Sequence, residues 1–302
     1  MQTMLGFNGG GSLDAILQRE RPSWWRLFFA APVKTLAKTL YPLRNAQLPQ
    51  LAAEAITVVC VSDTHNSQPK VPDGDLLIHA GDLTQSGSLQ ELQTTIAWLD
   101  SLPHLHKVVV AGNHDMHLEI TKSDVSEQRV LNWGRIVYLL DSSTSLRFPG
   151  GRILNLYGSP WTRKHGNWAF QYPRYKDMWT STVPSDVDIL VTHGPPRFHL
   201  DVDGFGDEFL LKELWRTRPA LHVFGHVHEG YGTDMLVFDE FEVSYERIMR
   251  GEGGLLDLLR MVVRLASSRL WPGTPRETRL VNASAVGGLQ DTVKREPTIV
   301  RI

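Results

Sequence analysis

The stretch ITVVCVSDTH, residues 56–65, joins an apolar, β-branched run to a serine, an aspartate, a threonine and a histidine. Short apolar runs that end in polar residues are typical of strands buried on both faces of a sheet. Four later runs end in the same way: DLLIHA (75–80) before Gly81-Asp82, KVVVA (107–111) before Gly112-Asn113-His114-Asp115, VDILV (187–191) before Thr192-His193, and LHVF (221–224) before Gly225-His226-Val227-His228. We therefore predict buried strands that each end in a polar turn.

Helical patterns lie between several of these runs, for example SLQELQTTIAWLDSL at residues 88–102. Alternating strands and helices predict α/β layers. Ligands of such sheets gather at the carboxyl ends of the strands, which is where each of the polar groups falls. The predicted fold class is therefore α/β, with the functional site at these strand ends.

The composition of the 302 residues is that of a soluble globular protein, with 42% hydrophobic and 21% charged residues and a formal net charge of −2. This near-neutral balance gives no reason to expect a nucleic-acid partner. The single cysteine, Cys60, excludes an internal disulfide framework and a cysteine-based zinc site. Because Cys60 lies inside an apolar run, we predict that it belongs to the core.

The polar residues at the strand ends offer carboxylate, carboxamide and imidazole groups. Two histidines one residue apart in an extended chain project to the same side, although such a pair alone is also typical of an ordinary surface turn. The whole set suits two ions such as Mn²⁺, Fe, Zn²⁺ or Ni²⁺, which acidify a water and stabilise an in-line displacement at phosphorus. A bridging carboxylate is needed, and Asp82 is the natural candidate. The candidate ligands are Asp63, His65, Asp82, Asn113, His114, His193, His226 and His228, of which seven make a ligand set for two ions.

The ordered motifs SDTH, HAGD, AGNHD, THGPP and GHVH resemble the calcineurin-like metallophosphoesterase superfamily. YGSPWTRKHGNWAF (157–170) and VNAS (281–284) resemble its metallophosphoesterase domain-containing subfamily, which is related to class III cyclic-nucleotide phosphodiesterases. The resemblance covers about residues 56–235 and 279–302. It implies a β-sandwich flanked by helices, with a dimetal site at the carboxyl ends of the strands.

The resemblance also implies a role for each site residue. His114 would contact the phosphate and protonate the leaving oxygen, and Asp115 could either orient His114 or cap a turn. The implied cofactor is a pair of divalent metal ions, with Mn²⁺ favoured and Fe, Zn²⁺, Ni²⁺ or Mg²⁺ as alternatives. The first ion would be held by Asp63, His65 and His228 and the second by Asn113, His193 and His226, with Asp82 between them.

The loop SPWTRKHGNW, residues 159–168, supplies the candidate substrate-binding residues Trp161, Arg163, His165 and Asn167. Aromatic rings and cations together suit a phosphodiester that carries a flat base or ring. The alternative is a packed loop whose tryptophans fill the core. The loop is more charged than the family pattern, which leaves the substrate preference open.

Two segments lie outside the resemblance. We predict a basic, aromatic N-terminal extension at residues 1–54, and a metallophosphoesterase domain at 55–302 with an insertion at about 236–278. Residues 23–44 contain aromatic and basic residues but no acid, and residues 251–272 have helical apolar spacing. Each segment suits either peripheral membrane contact, through 22–44 and 251–272, or packing on the domain, and residues 251–272 also suit a lid. The lack of a signal peptide and of a spanning segment predicts a cytoplasmic location.

The predicted function is that of a dinuclear metal-dependent phosphodiesterase, which hydrolyses P–O bonds of a small-molecule phosphoester with a metal-bridging hydroxide. Cyclic nucleotides are the substrate class that the resemblance favours. One alternative is a hydrolase recruited to a phosphomonoester, a phospholipid or a non-phosphate bond, since a fold does not determine its substrate. Another is a nucleotide-binding regulatory or scaffold protein of low activity, which the complete ligand set and His114 disfavour.

Overall fold

The computed structural model describes residues 23–44, 55–119, 131–202, 204–270, 276–288 and 291–302. One sheet has the strand order β15-β1-β2-β3-β4. Strands β1 to β4 are parallel, and β15 pairs with β1 in the antiparallel direction. The strands are β1 (Thr57–Val61), β2 (Leu76–Ala80), β3 (His106–Val110), β4 (Val137–Tyr138) and β15 (Thr298–Arg301).

The second sheet has the order β11-β12-β10-β9-β6-β5. Its four inner strands are parallel, and the edge strands β5 and β11 are antiparallel to their neighbours. The strands are β5 (Ser142–Arg147), β6 (Ile153–Ser159), β9 (Ile189–Thr192), β10 (Leu221–Phe224), β11 (Gly232–Val237) and β12 (Glu277–Asn282). Two short pairs complete the strands: β7 (Thr162–Arg163) with β8 (Gln171–Tyr172), and β13 (Val286–Gly287) with β14 (Val293–Lys294).

The two sheets pack face to face around one apolar core. Val58, Cys60 and Ile78 of the first sheet belong to the same buried cluster as Leu156 and Val223 of the second. The predicted α/β sandwich is therefore confirmed, and so is the core position of Cys60, whose side chain is fully buried. Burial in this apolar layer raises the pKa of the Cys60 thiol.

Helices cover the outer faces of the sheets. Helix α3 begins at a capping box of Ser88 and Glu91 and buries Leu92, Ile96 and Leu99 against the first sheet. Helix α4 covers the second sheet in the same way. The helices are α1 (Trp24–Ala30), α2 (Pro32–Leu40), α3 (Leu89–Ser101), α4 (Glu208–Thr217), α5 (Glu240–Arg250) and α6 (Leu255–Leu270), with 3₁₀ turns at Tyr41–Leu43, Met116–Leu118, Pro149–Gly151 and His228–Gly230.

The described part of the N-terminal extension packs on the insertion. Ala37 of α2 shares a buried cluster with Phe241 and Tyr245 of α5 and Met261 of α6. The helix predicted from the apolar spacing of the insertion is present as α6. The predicted domain boundaries stay predictions, and residues 1–22 and 45–54 of the extension lie outside the described residues.

A buried polar cluster also joins the extension to the domain. The Arg44 guanidinium contacts Asp239 at 2.5 Å and Glu242 at 2.6 Å. The fully buried His199 ring lies 3.2 Å from Asp234, and its burial is outweighed by the surrounding carboxylates, which raise its pKa to about 9. A protonated His199 therefore balances part of the acidic charge in this cluster. Among the described residues, no helix is long and apolar enough to cross a bilayer.

Candidate metal centre

The carboxyl ends of strands from both sheets meet at one edge of the sandwich. His193 follows β9, and its Nε2 lies 3.3 Å from the Asp82 Oδ2 that follows β2. His228 follows β10, and its Nε2 lies 3.3 Å from the Asp63 Oδ1 that follows β1. The shared edge predicted from the parallel runs therefore brings residues more than 100 positions apart into contact.

The first group of ligand atoms belongs to Asp63, His65 and His228, which lie within 4.8 Å of one another. Both ring nitrogens of His65 are buried without a hydrogen-bond partner among the described residues. Burying an imidazole nitrogen without a hydrogen-bond partner costs free energy. A metal ion bound to one of the two nitrogens would supply a partner, because neutral imidazole is a common metal ligand. The donor set therefore fits a divalent cation at this position.

The second group joins Asp82, His193 and His226, again within 4.8 Å of one another. The Asn113 Oδ1 lies 3.1 Å from the His193 Nε2, so the carboxamide oxygen points to the same place. Asp82 Oδ2 also lies 3.9 Å from His65 Nε2 of the first group. One carboxylate thus lies between the two groups, which is the position that a bridging ligand requires.

Each buried carboxylate of the centre is paired with an imidazole, and the interaction within each pair offsets the free-energy cost of burying the charge. Burial opposes ionisation of Asp63 and Asp82, but the neighbouring His228 and His193 outweigh it and hold both carboxyl pKa values well below their usual range. In turn, Asp82 raises the pKa of His193 to about 9, and Asp291 with Asp63 raises that of His228 to about 10, each against the effect of burial. Metal ions and protons therefore compete for these imidazoles.

Several candidate ligands have a left-handed backbone, with φ values of 52° at Asp63, 43° at His65, 51° at Asp82 and 66° at His226. This region is unfavourable for residues other than glycine, at a cost of order 1–3 kcal/mol each, and it concentrates at functional sites. Hydrogen bonds between residues at the strand ends stabilise these turns. The His226 N–H donates to the Asp63 carboxylate at 3.1 Å, and the His65 N–H donates to the Asp82 carbonyl at 3.2 Å.

Outer residues orient the ligands. The His193 Nδ1 lies 2.8 Å from the Ala80 carbonyl, which fixes the proton on Nδ1 and leaves Nε2 to a metal ion. Asp291 contacts the His228 Nδ1 at 2.9 Å, and the Ser284 hydroxyl donates to Asp63 at 2.8 Å. Sequence reasoning missed both roles. Ser284 is the last residue of the VNAS motif, so the sequence contained a signal for its role. Asp291 lies in no motif.

The catalytic candidate His114 lies at the cavity beside the metal ligands. Its Nδ1 is 2.8 Å from the Gln85 carbonyl, so Nδ1 carries a proton and Nε2 is the atom available to a substrate. The Trp168 indole stacks on the ring with centroids 4.2 Å apart. The ring is thus fixed on one side by an indole and on its edge by a carbonyl.

The other catalytic candidate, Asp115, has a different environment. Its carboxylate is fully buried and accepts hydrogen bonds from the main chain at Leu83, Thr84 and Gly112 and from the Thr84 hydroxyl, all between 2.8 and 3.1 Å. Burial and the charge of Asp82 raise its pKa to about 6 against these hydrogen bonds. This geometry ties the turn after β2 to the turn after β3, which corresponds to the second of the two alternatives for Asp115, capping of a turn.

A cavity of about 290 Å³ opens beside the centre. The candidate substrate residues Trp161, Arg163 and His165 line it, but Asn167 is exposed and is not among the described lining residues. The Arg163 guanidinium donates to the carbonyls of Gly206 and Arg174. The Trp161 indole donates to Asp141 at 2.8 Å and packs on the core of the first sheet. The loop therefore both packs on the domain and forms a wall of the cavity.

We expect Gly225→Ala to weaken metal binding. A Cβ at this position would overlap the Asp63 carboxylate and the Ser62 side chain. Overpacking of this kind costs about 1–3 kcal/mol in free energy of unfolding. Denaturant unfolding with a chelator, together with metal analysis, measures both losses. Gly254→Ala is the matched control because its Cβ would meet no atom within 4 Å. Full metal content in Gly225→Ala would contradict the close packing of this turn.

The chain is similar to known proteins over most of its length. The family described as calcineurin-like phosphoesterase matches residues 56–230. A protein of Emericella nidulans named "Probable rhamnogalacturonate lyase C" is 44% identical over 300 residues, which are 96% of this chain and 29% of that protein. Human metallophosphoesterase domain-containing protein 1 is 40% identical over 204 residues, 58% of this chain and 61% of that protein. A UPF0046 protein of Caenorhabditis elegans is 34% identical over 198 residues, 59% of this chain and 70% of that protein. The chain thus spans less than two thirds of the first two relatives.

Proposed function

Since the chain belongs to the calcineurin-like phosphoesterase family, we propose that it is a dinuclear metal-dependent phosphoesterase that hydrolyses phosphodiesters. The observation that carries this proposal is the position of Asp82, which lies 3.3 Å from His193 of one ligand group and 3.9 Å from His65 of the other. A single structural zinc would need neither a shared carboxylate nor a second group of ligands.

The chain's own residues divide the work of the reaction. Two divalent cations bound there would acidify a water molecule and offset the negative charge that develops at phosphorus. The ligands Asp63, His65 and His228 would hold one ion, and Asn113, His193 and His226 the other. In its imidazolium form, with the Nδ1 proton bonded to the Gln85 carbonyl, His114 would donate its Nε2 proton to the ester oxygen as the P–O bond breaks and be left as the neutral ring. The Gln85 carbonyl and the Trp168 indole hold that nitrogen in place.

The charge of the cavity wall supports a diester over a monoester. Among the described lining residues, the side-chain cations besides histidine are Arg163 and Arg174, and both already donate to main-chain carbonyls. The wall also contains Asp207, Glu229 and Asp291, together with several aromatic side chains. A diester with one negative charge and an organic group on each side suits this wall better than a phosphate dianion does.

Two other activities are tested beside this one. A phosphomonoester or another small molecule remains the alternative for the same metal centre, because the ions activate water whatever is bound. The name of the Emericella relative refers to rhamnogalacturonate, but the similarity covers only 29% of that protein. This overlap does not support rhamnogalacturonate as the substrate of this chain, so it serves only as a comparison substrate in the screen.

Metal analysis and a substrate screen test the proposal. We expect about two ions per chain after incubation with Mn²⁺, which we propose as the working ion, and comparison with Fe, Zn²⁺, Ni²⁺ and Mg²⁺ ranks the alternatives. We expect kcat/KM for bis-p-nitrophenyl phosphate to exceed that for p-nitrophenyl phosphate by at least about tenfold. Faster monoester hydrolysis would overturn the diester preference. Fewer than one ion per chain would contradict the dinuclear centre.

A further inference from the structure

Helices α1 and α6 expose large apolar side chains that the other described residues do not cover. The exposed fractions are 64% for Trp25 and 78% for Phe29 in α1, and 73% for Leu255 and 71% for Leu256 in α6. Single exposed apolar residues are normal on protein surfaces. A concentration of them on two helices that both contact α2 marks a surface that binds a partner.

The exposed side of α6 is a continuous face. Leu255, Leu259, Val262 and Val263 recur at intervals of three, four and seven residues, which places them on one side of the helix, and all are exposed. The opposite side of the same helix contributes Leu258, Met261 and Leu265 to the cluster with α2 and α5. Helix α6 is therefore apolar on two faces, and the fold uses one of them.

Helix α1 exposes an aromatic cluster. Trp24 stacks on Phe28 with ring centroids 5.1 Å apart, and Trp25 stacks on Phe29 at 6.4 Å. No side chain of this helix is buried. The Trp24 indole donates to the Thr39 hydroxyl of α2 at 3.3 Å, and α2 packs on α6 through Ala37. Both exposed surfaces therefore belong to one unit built on α2.

The charge of this unit is positive on its exposed side. Residues 23–44 contain no acid, and the single acid of α6, Asp257, is buried and accepts a hydrogen bond from Arg260 at 2.9 Å. Arg26 and Arg260 are exposed beside the apolar side chains. Tryptophan and leucine flanked by arginine match the region where headgroups meet acyl chains in an anionic bilayer.

We propose that α1 and α6 bind the surface of an anionic membrane, with their exposed aromatic and aliphatic side chains inserted at headgroup level and Arg26 and Arg260 on the lipid phosphates. This surface is separate from the metal ligands, so the inference stands apart from the proposed phosphodiesterase activity. A second copy of the chain fits less well, because a symmetric contact through this surface would bring like charges together. Association with lipid here needs no spanning helix.

Vesicle sedimentation with the full chain tests the proposal. We expect wild type to bind vesicles that contain phosphatidylserine, and binding to phosphatidylcholine vesicles to be at least about tenfold weaker. Two double variants, Trp25→Ser with Phe29→Ser and Leu256→Ser with Leu259→Ser, should each lower the affinity by at least about tenfold. Arg26→Gln with Arg260→Gln should lower it for the anionic vesicles only.

Leu105→Ser with Ile153→Ser is the matched control, since these apolar side chains are also exposed but lie on other parts of the surface. Circular dichroism and hydrolysis of bis-p-nitrophenyl phosphate report whether each variant folds. Equal vesicle binding by wild type and the helix variants would overturn the proposal, as would no binding by wild type. Light scattering that shows a dimer dispersed by the same variants would also overturn it, in favour of a second copy.

Discussion

Asp82→Asn is expected to lower kcat/KM for bis-p-nitrophenyl phosphate by at least about a thousandfold and to reduce the bound metal from about two ions per chain to one or fewer. Asp82 is the carboxylate within reach of both ligand groups, so its negative charge is the one that offsets the repulsion between two cations. Asparagine keeps the shape but not the charge. Steady-state kinetics and metal analysis of the same preparation measure the two effects together.

The fold should tolerate this change. The Asp82 Oδ1 accepts a hydrogen bond from the His114 main chain at 2.7 Å, and an asparagine oxygen can accept the same bond. Asp75→Asn is the matched control, because Asp75 lies at the opposite end of β2, where its carboxylate accepts from the Thr57 N–H at 2.7 Å. We expect this control to retain its metal and activity. Two bound ions in Asp82→Asn would exclude the bridging role of this carboxylate.

The sequence was sufficient to predict the strands that carry the ligands. The runs at 56–61, 75–80, 107–111, 187–191 and 221–224 coincide with β1, β2, β3, β9 and β10 to within two residues at each end. Each of these strands is buried on both faces, so its residues form a continuous apolar run that needs no pairing partner to be recognised. The polar turn after each strand is also visible in the sequence, because its residues end the apolar run.

The edge strands and the second layer of the centre could not be predicted in this way. Strand β5 reads SSTSLR and is only partly buried, so it lacks an apolar run. Strand β11 reads GTDMLV and is fully buried only at its last two residues, so its apolar run is too short to be recognised. Asp291 reaches His228 only because the fold brings the C-terminal segment to the end of β10. The packing of α2 on α5 and α6 likewise depends on surfaces that are far apart in the sequence.

Substitution of His114 separates the chemical step from metal binding. We expect His114→Ala to lower kcat for a diester by about 10²- to 10⁴-fold, which is the usual contribution of a general acid, while about two metal ions stay bound. The reason is that Nε2 is the ring atom that can hold and donate a second proton while the Nδ1 proton is engaged by the Gln85 carbonyl. Metal content and kcat are measured on the same samples. His106→Ala is the matched control, because His106 lies at the opposite end of β3.

The leaving group gives the more specific test of the same role. p-Nitrophenolate leaves as a stable anion and needs little help from a proton, whereas an alkoxide does not leave without one. The loss of kcat in His114→Ala should therefore be larger for a methyl or phenyl ester than for the nitrophenyl ester. A His114 ring atom also lies within 4.8 Å of the His65 and Asp82 ligand atoms, so a direct ligand role is the competing explanation. Equal losses for all leaving groups, accompanied by loss of one ion, would establish that ligand role and exclude proton donation.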